Sequence, residues 1–287
     1  MKKKILALVL CATMVLAMLT ACSSKTSSSS ENSSTSDATS EAPTTSEDAS
    51  TSEDASTSED ASSSDVTYAE MNYEEFMAAD VDTAVKLDIY VADKQKYNAE
   101  YGNTSIYAFD DNGFYFIYRV SMTQEEYDAL EPGTEIIVSG YKAEWSGEVE
   151  VADASIEKGN GKKDVPAPVE IEAGKTADDL LAIQNALFAM KDLEVVESEY
   201  KDENDEVQKA PFLYSWDGSG EKGSDLYFNV TDGTTVFNLT VETDLCDSSS
   251  DVYVAVEGLK VGDKIDVTGF MYWYNGPNPH ITSVTVK

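Results

Sequence analysis

The sequence predicts a mostly β protein: two small five-stranded Greek-key barrels in tandem, with short helices, preceded by a disordered tether. Three observations carry this. Apolar residues alternate with polar ones in short runs bounded by Gly, Asp and Asn. Brief helix signals and strand runs fall in the same order twice. Finally, Leu130, Gly133, Ile136, Val138, Gly140 and Gly147 recur as Leu259, Gly262, Ile265, Val267, Gly269 and Gly276 at one offset of 129, and Tyr141 meets Phe270 at that offset. Identities at a fixed spacing indicate an internal duplication.

The chain opens with Lys2, Lys3 and Lys4 ahead of an apolar run from Ile5 to Met18 that is too short to span a bilayer comfortably. The run closes on Leu19-Thr20-Ala21-Cys22, which resembles the lipobox of bacterial lipoproteins. That resemblance implies a signal peptide over 1–21, cleavage before Cys22, and acylation of its thiol, palmitate included. Several acyl chains on one residue hold a protein firmly at a membrane, so the expected address is the extracytoplasmic face of the cell membrane.

Residues 22–66 are Ser, Thr, Ala, Glu and Asp with almost no apolar bulk, including the repeat Thr45–Ser50, Thr51–Ser56 and Thr57–Ser62. Such a segment buries too little surface to offset its ordering entropy. It reads as a tether with an end-to-end distance of about 40 Å.

With Cys11 removed in the signal and Cys22 lipidated, Cys246 alone remains, so no intrachain disulfide is expected. There is no Cys or His cluster for a structural zinc site. No metal or cofactor is expected, and Cys246 reads as a small packed side chain.

The first barrel is expected over 67–160. Thr67–Glu70 and Asn72–Glu75 are capping signals for a short helix reaching Ala79. Val85, Leu87, Ile89 and Val91 alternate as a strand with one buried face. Ile106–Phe109 and Phe114–Val120 flank Asp110-Asp111-Asn112-Gly113, where Asn-Gly predicts positive φ angles in a tight hairpin. Thr123–Glu126 is a capping box for a helical turn stopped by Pro132 and Gly133. Strands follow at Ile136–Tyr141 and, after Ser146-Gly147, at Val149–Ile156.

The second barrel, expected over 170–287, repeats this order. A helix lies in Thr176–Asn185, a strand in Phe188–Glu197, and a hairpin about Asp232-Gly233 joins Leu226–Val230 to Thr234–Val241. Asp251–Glu257 precedes the last two strands. A polar insertion from Ser198 to Ser224 reads as loop. Asp202, Asn204 and Glu206 within it have alternate spacing, but the glycine turn and terminal Glu of a calcium loop are missing.

Five strands with a helix between the third and fourth is the order of the OB-fold. The chain resembles the tandem OB-fold-like lipoproteins of anaerobic Gram-positive bacteria. The residues that carry this are Leu130-Glu-Pro-Gly-Thr-Glu-Ile-Ile-Val-Ser-Gly140 and Leu259-Lys-Val-Gly-Asp-Lys-Ile-Asp-Val-Thr-Gly269, with Ala143–Gly147 and Tyr272–Gly276 after them. The resemblance implies a fold and brings no catalytic residue.

OB barrels bind ligands on the face of strands two and three and in the loops after strands one and four. Accordingly, the candidate binding residues are Tyr141 and Trp145 in the first copy and Phe270, Tyr272, Trp273, Tyr274, Asn275 and His280 in the second. Four aromatics within five residues cannot all face one side of a strand, so some are expected in solvent, where they stack on a sugar ring or dock an apolar peptide.

Charge bears on the partner. The chain holds 54 acids against 20 basic residues, net −34, and only Lys162-Lys163 are adjacent bases after the tether. A polyanion is repelled by such a surface, so nucleic acid is expected to be an unlikely partner. The only His, His280, would have to serve any Ser-His or Cys-His mechanism, and no phosphate loop, Gly-x-Ser-x-Gly or His-Glu-x-x-His motif accompanies it. The reading is a non-enzymatic, lipid-anchored binding or adaptor protein whose ligand is a carbohydrate or a surface protein. The alternatives are a single-stranded nucleic-acid binder, a purely structural envelope lipoprotein, and a hydrolase using His280.

Overall fold

The computed structural model describes residues 66–287; the expected signal peptide, the expected lipidation at Cys22 and the expected tether up to residue 65 lie outside the described residues. No helix among the described residues is long and apolar enough to cross a membrane.

In the first barrel a two-residue strand, β1 (Ala69–Glu70), lies parallel to β2 (Ala84–Lys94), with Ala69 opposite Val85. The Thr67–Glu70 capping signal is therefore unused. The second signal starts α1 (Tyr73–Ala78): Asn72 Oδ1 accepts from Glu75 N, and Glu75 accepts from Asn72 N, each at 3.0 Å. The chain continues through β3 (Asn103–Phe109), β4 (Phe114–Ser121), α2 (Gln124–Asp128), β5 (Thr134–Trp145) and β6 (Glu148–Lys162). β6 runs past the expected end at Ile156 to Lys162, just beyond the expected limit of the first barrel at residue 160.

The sheet order β2-β3-β4-β6-β5, closed by β2 with β5 and with β4 parallel to β6, is an OB barrel. The second copy has the same plan. β7 (Val169–Glu170) lies parallel to β8 (Leu187–Val196) across α3 (Ala177–Leu181), as β1 does across α1. Next come β9 (Ser198–Lys201), β10 (Val207–Ala210), β11 (Leu213–Tyr214), β12 (Leu226–Thr231), β13 (Val236–Val241), α4 (Asp251–Glu257), β14 (Lys264–Phe270) and β15 (His280–Val286). β12-β13-β15-β14-β8 closes through β12 with β8.

The duplicated positions do equivalent work. Leu130 and Leu259, Ile136 and Ile265, and Val138 and Val267 are all buried in their respective cores. Gly140 and Gly269 sit where β5 and β14 slip register against their neighbours. A Cβ on Gly269 would come within 2.2 Å of the His280 carbonyl oxygen, so the strands approach there only without a side chain.

Two expectations differ from the structure. Neither Asn112 nor Gly113 has a positive φ; the Asp110 carboxylate closes the turn by accepting from both backbone N–H groups at 2.7 and 2.8 Å. The insertion read as loop contains the β9–β10 hairpin, in which Asp202 Oδ1 accepts from Asn204 N and Glu206 N. The spaced acids thus shape a turn.

Candidate functional site

A third apolar cluster joins the barrels. Ala92, Tyr107, Phe109 and Phe116 of the first meet Phe270 of the second, flanked by Leu187, Leu245 and Tyr272. Tyr107 and Phe270 stack at 4.1 Å with planes 9° apart. Polar contacts reinforce the seam: Lys96 N donates to the Asp244 carbonyl, Gln184 reaches Gly147 and Val149, and Trp273 N donates to Glu148 Oε2 at 2.8 Å.

Beside this seam opens a cleft of about 920 Å³. Its first wall is the face of the first barrel's second and third strands: Ser105 on β3, and Phe116, Tyr118 and Arg119 on β4. The second wall is the equivalent face of the other barrel, with Tyr227 on β12 and Asn238 and Thr240 on β13. Trp216, from the insertion, and Tyr272, Tyr274, Asn278 and His280, from the end of β14 to the start of β15, complete it. Trp216 is 75% exposed and Tyr274 52%, so both rings are open to a ligand.

The sequence-predicted residues separate into distinct roles. Tyr272, Tyr274 and His280 line the cleft. Phe270 is 2% exposed and belongs to the seam. Trp273 packs against Gly147 and the second core, and Asn275 donates its backbone N–H to Ser146 O. Tyr141 packs on Tyr68, with ring centroids 6.1 Å apart, and Trp145 projects into solvent at the end of β5; neither lines the cleft. Tyr118, Arg119, Trp216, Tyr227, Asn238 and Asn278 were not singled out by the sequence. The strand-two and strand-three face was the available signal, without a residue attached.

His280 is a buried joint. Its ring stacks on Tyr272 at 4.4 Å, and Nδ1 lies 3.2 Å from both Tyr107 Oη and Glu242 Oε2. Among the described residues no Ser, Thr or Cys side chain hydrogen-bonds it. Burial acts to raise the Glu242 carboxyl, but the His280 charge, hydrogen bonds from His280 and Gln95, and the Lys96 charge outweigh it and hold it below its usual value. Gln95 Nε2 donates to both Glu242 oxygens at 2.8 Å. Lys96 pairs with Asp244 at 2.6 Å, and Asp225 accepts from Thr243 N and Oγ1.

Two carboxyls behind the cleft are strongly perturbed. Burial drives Glu148 up to about 9, against hydrogen bonds from Asn185 and Trp273, and drives Glu150 to about 7. Burial likewise lifts the Cys246 thiol to about 12.

No family model matches the chain, and no curated protein matches it. Among solved structures it is similar to an Ifi202 HINa domain in complex with 20-bp dsDNA, at 12% identity over 72% of this chain and 96% of that one, TM-score 0.32. A murine DNA-binding protein bound with dsDNA is similar at 15% identity over 70% and 97%, TM-score 0.32. A replication protein A heterotrimer bound to ssDNA follows at 12% over 71% and 49%, TM-score 0.29. These titles describe what those proteins bind. That these neighbours bind DNA runs against the expectation that nucleic acid is an unlikely partner, which rested on net charge and on the scatter of the lysines. Net charge averages the whole surface, whereas a ligand meets the local charge of one cleft.

Proposed function

We propose that the chain is a binding module whose cleft, formed where the strand-two and strand-three faces of its two barrels meet, takes a carbohydrate. The observation that carries the reading is the cleft lining. Trp216, Tyr274 and Tyr118 offer ring faces, and the Asn238 and Asn278 amides with the Thr240 hydroxyl offer directional hydrogen bonds. Flat apolar faces bordered by amides and carboxylates suit a polyhydroxylated ring. The LTAC segment supports a further part of the reading: Cys22 carries lipid and holds the module on the outer face of the membrane.

Isothermal titration of the full chain with soluble oligosaccharides tests the ligand class. Trp216→Ala and Tyr274→Ala, both at exposed sites, are expected to weaken binding by roughly 5- to 50-fold while thermal melting stays unchanged. Sugar affinity untouched by either substitution overturns the reading. Labelling with radioactive palmitate tests the anchor, with loss of label in Cys22→Ser expected.

A second reading, single-stranded nucleic acid, is favoured by Tyr118 and Arg119 standing side by side on β4. There a base stacks on the ring and a phosphate meets the guanidinium, at about 1 to 3 kcal/mol per stacked base. Titration with homopolymer oligonucleotides separates the two readings.

A further inference from the structure

Arg119 is the only arginine in the sequence, and its placement is unusual in three respects. Its φ is +47°, a region that side-chain-bearing residues rarely occupy and that clusters where function demands it. The cause is a bulge: between the pairs Thr104–Val120 and Ile106–Ile117, Ser105 of β3 faces both Tyr118 and Arg119 of β4. Bulges re-aim a side chain that regular pairing would point elsewhere. Buried Ser105 fixes the bulge, its Oγ accepting from Arg119 N at 3.2 Å. The guanidinium lies over the Tyr118 ring, its carbon 4.9 Å from the centroid, on the cleft wall.

The third respect is charge. The cleft holds three carboxylates, and each has a partner within the protein: Glu242 has Gln95 and His280, Asp244 has Lys96, and Asp225 has Thr243. In a chain with 54 acids, Arg119 forms no ion pair with any described residue. Arg119 is thus the one charged side chain of the cleft with neither an ion pair nor a hydrogen-bond partner among the described residues.

We infer that Arg119 is a specificity-determining residue and that the cleft selects a sugar bearing a carboxylate, a uronic acid being the simplest. This rests on the carbohydrate reading and narrows it. A guanidinium offers two parallel N–H donors matched to the two oxygens of a carboxylate, and the exposed Trp216 and Tyr274 rings of the same cleft receive the sugar face. A single carboxylate places one charge at one guanidinium.

The test compares methyl galacturonoside, which carries one carboxylate, with neutral methyl galactoside on the full-length chain. The wild type is expected to prefer the acid by roughly tenfold or more, with the preference shrinking as salt rises. Arg119→Gln, which leaves the backbone bulge and its Ser105 contact in place, should bind the two equally. Arg119→Lys should restore part of the preference, because it keeps the charge without the fork. Equal binding of both sugars by the wild type, or a preference that survives Arg119→Gln, overturns the inference and leaves the carbohydrate reading standing. Binding of neither sugar overturns both, as does an oligo(dT) strand that binds while both sugars fail.

Discussion

Glu148 begins β6 of the first barrel, is 0% exposed, and accepts from Trp273 N of the second through Oε2. Its Oε1 and the Asn185 Oδ1 are buried acceptors without a partner, and a proton on Oε1 turns one of them into a donor. Burial raises this carboxyl from 4.5 to about 9, so at neutral pH the folded chain keeps a proton that the unfolded chain releases. A raised carboxyl contributes fully below pH 4.5, and its contribution is lost as pH climbs toward 9. At about 1.4 kcal/mol per pH unit, the loss reaches about 3 kcal/mol by pH 7. Glu148→Gln replaces the proton with a permanent amide donor and keeps an acceptor for Trp273 N. The variant should therefore match the wild type near pH 4.5 and exceed it by about 3 kcal/mol at pH 7. Urea unfolding at a series of pH values measures this. Glu150, lifted to about 7, adds its own slope to both chains, so the difference between them isolates Glu148. Parallel stability curves for the two chains across this range would refute the argument.

Three further outcomes are expected. Gly269→Ala should destabilise the second barrel by more than about 2 kcal/mol, because its Cβ collides with the backbone of β15, and thermal melting reads this directly. Cys246 should react slowly with iodoacetamide at pH 8 in the folded chain and rapidly in urea, since burial and then the nearby Asp93, Glu242 and Asp247 charges suppress the thiolate. Thr123→Ala removes the hydroxyl that accepts from Glu126 N and should cost about 1 kcal/mol in the same melting assay.

The barrels were legible because period-two burial and a doubled strand-four motif both act locally along the chain. The β9–β10 hairpin was not, since the side chains on its more buried face (Ser198, Tyr200, Gln208 and Ala210) are mostly polar or small and give no apolar alternation. Trp216, just beyond it, was hidden with it. The cleft was half legible. Tyr272, Tyr274 and His280 stood out as a local aromatic cluster, but the opposite wall comes from strands more than a hundred residues away. Tyr118, Tyr227 and Asn238 look, in sequence, like ordinary outward strand positions. The Arg119 bulge depends on pairing with Ser105, and no local pattern signals it. Phe270 misled because aromatic density marks an interdomain stack as readily as a binding surface.

The stack of Tyr107 on Phe270 has a consequence for any attempt to divide the molecule. The first barrel presents its β3–β4 face to this contact, whereas the second offers the ends of β8 and β14, so the twins touch through unlike surfaces. Each severed half would bare a different greasy patch and lose one bank of the furrow. Severing the connection near Pro166 is therefore expected to yield sticky fragments in place of two separately soluble barrels.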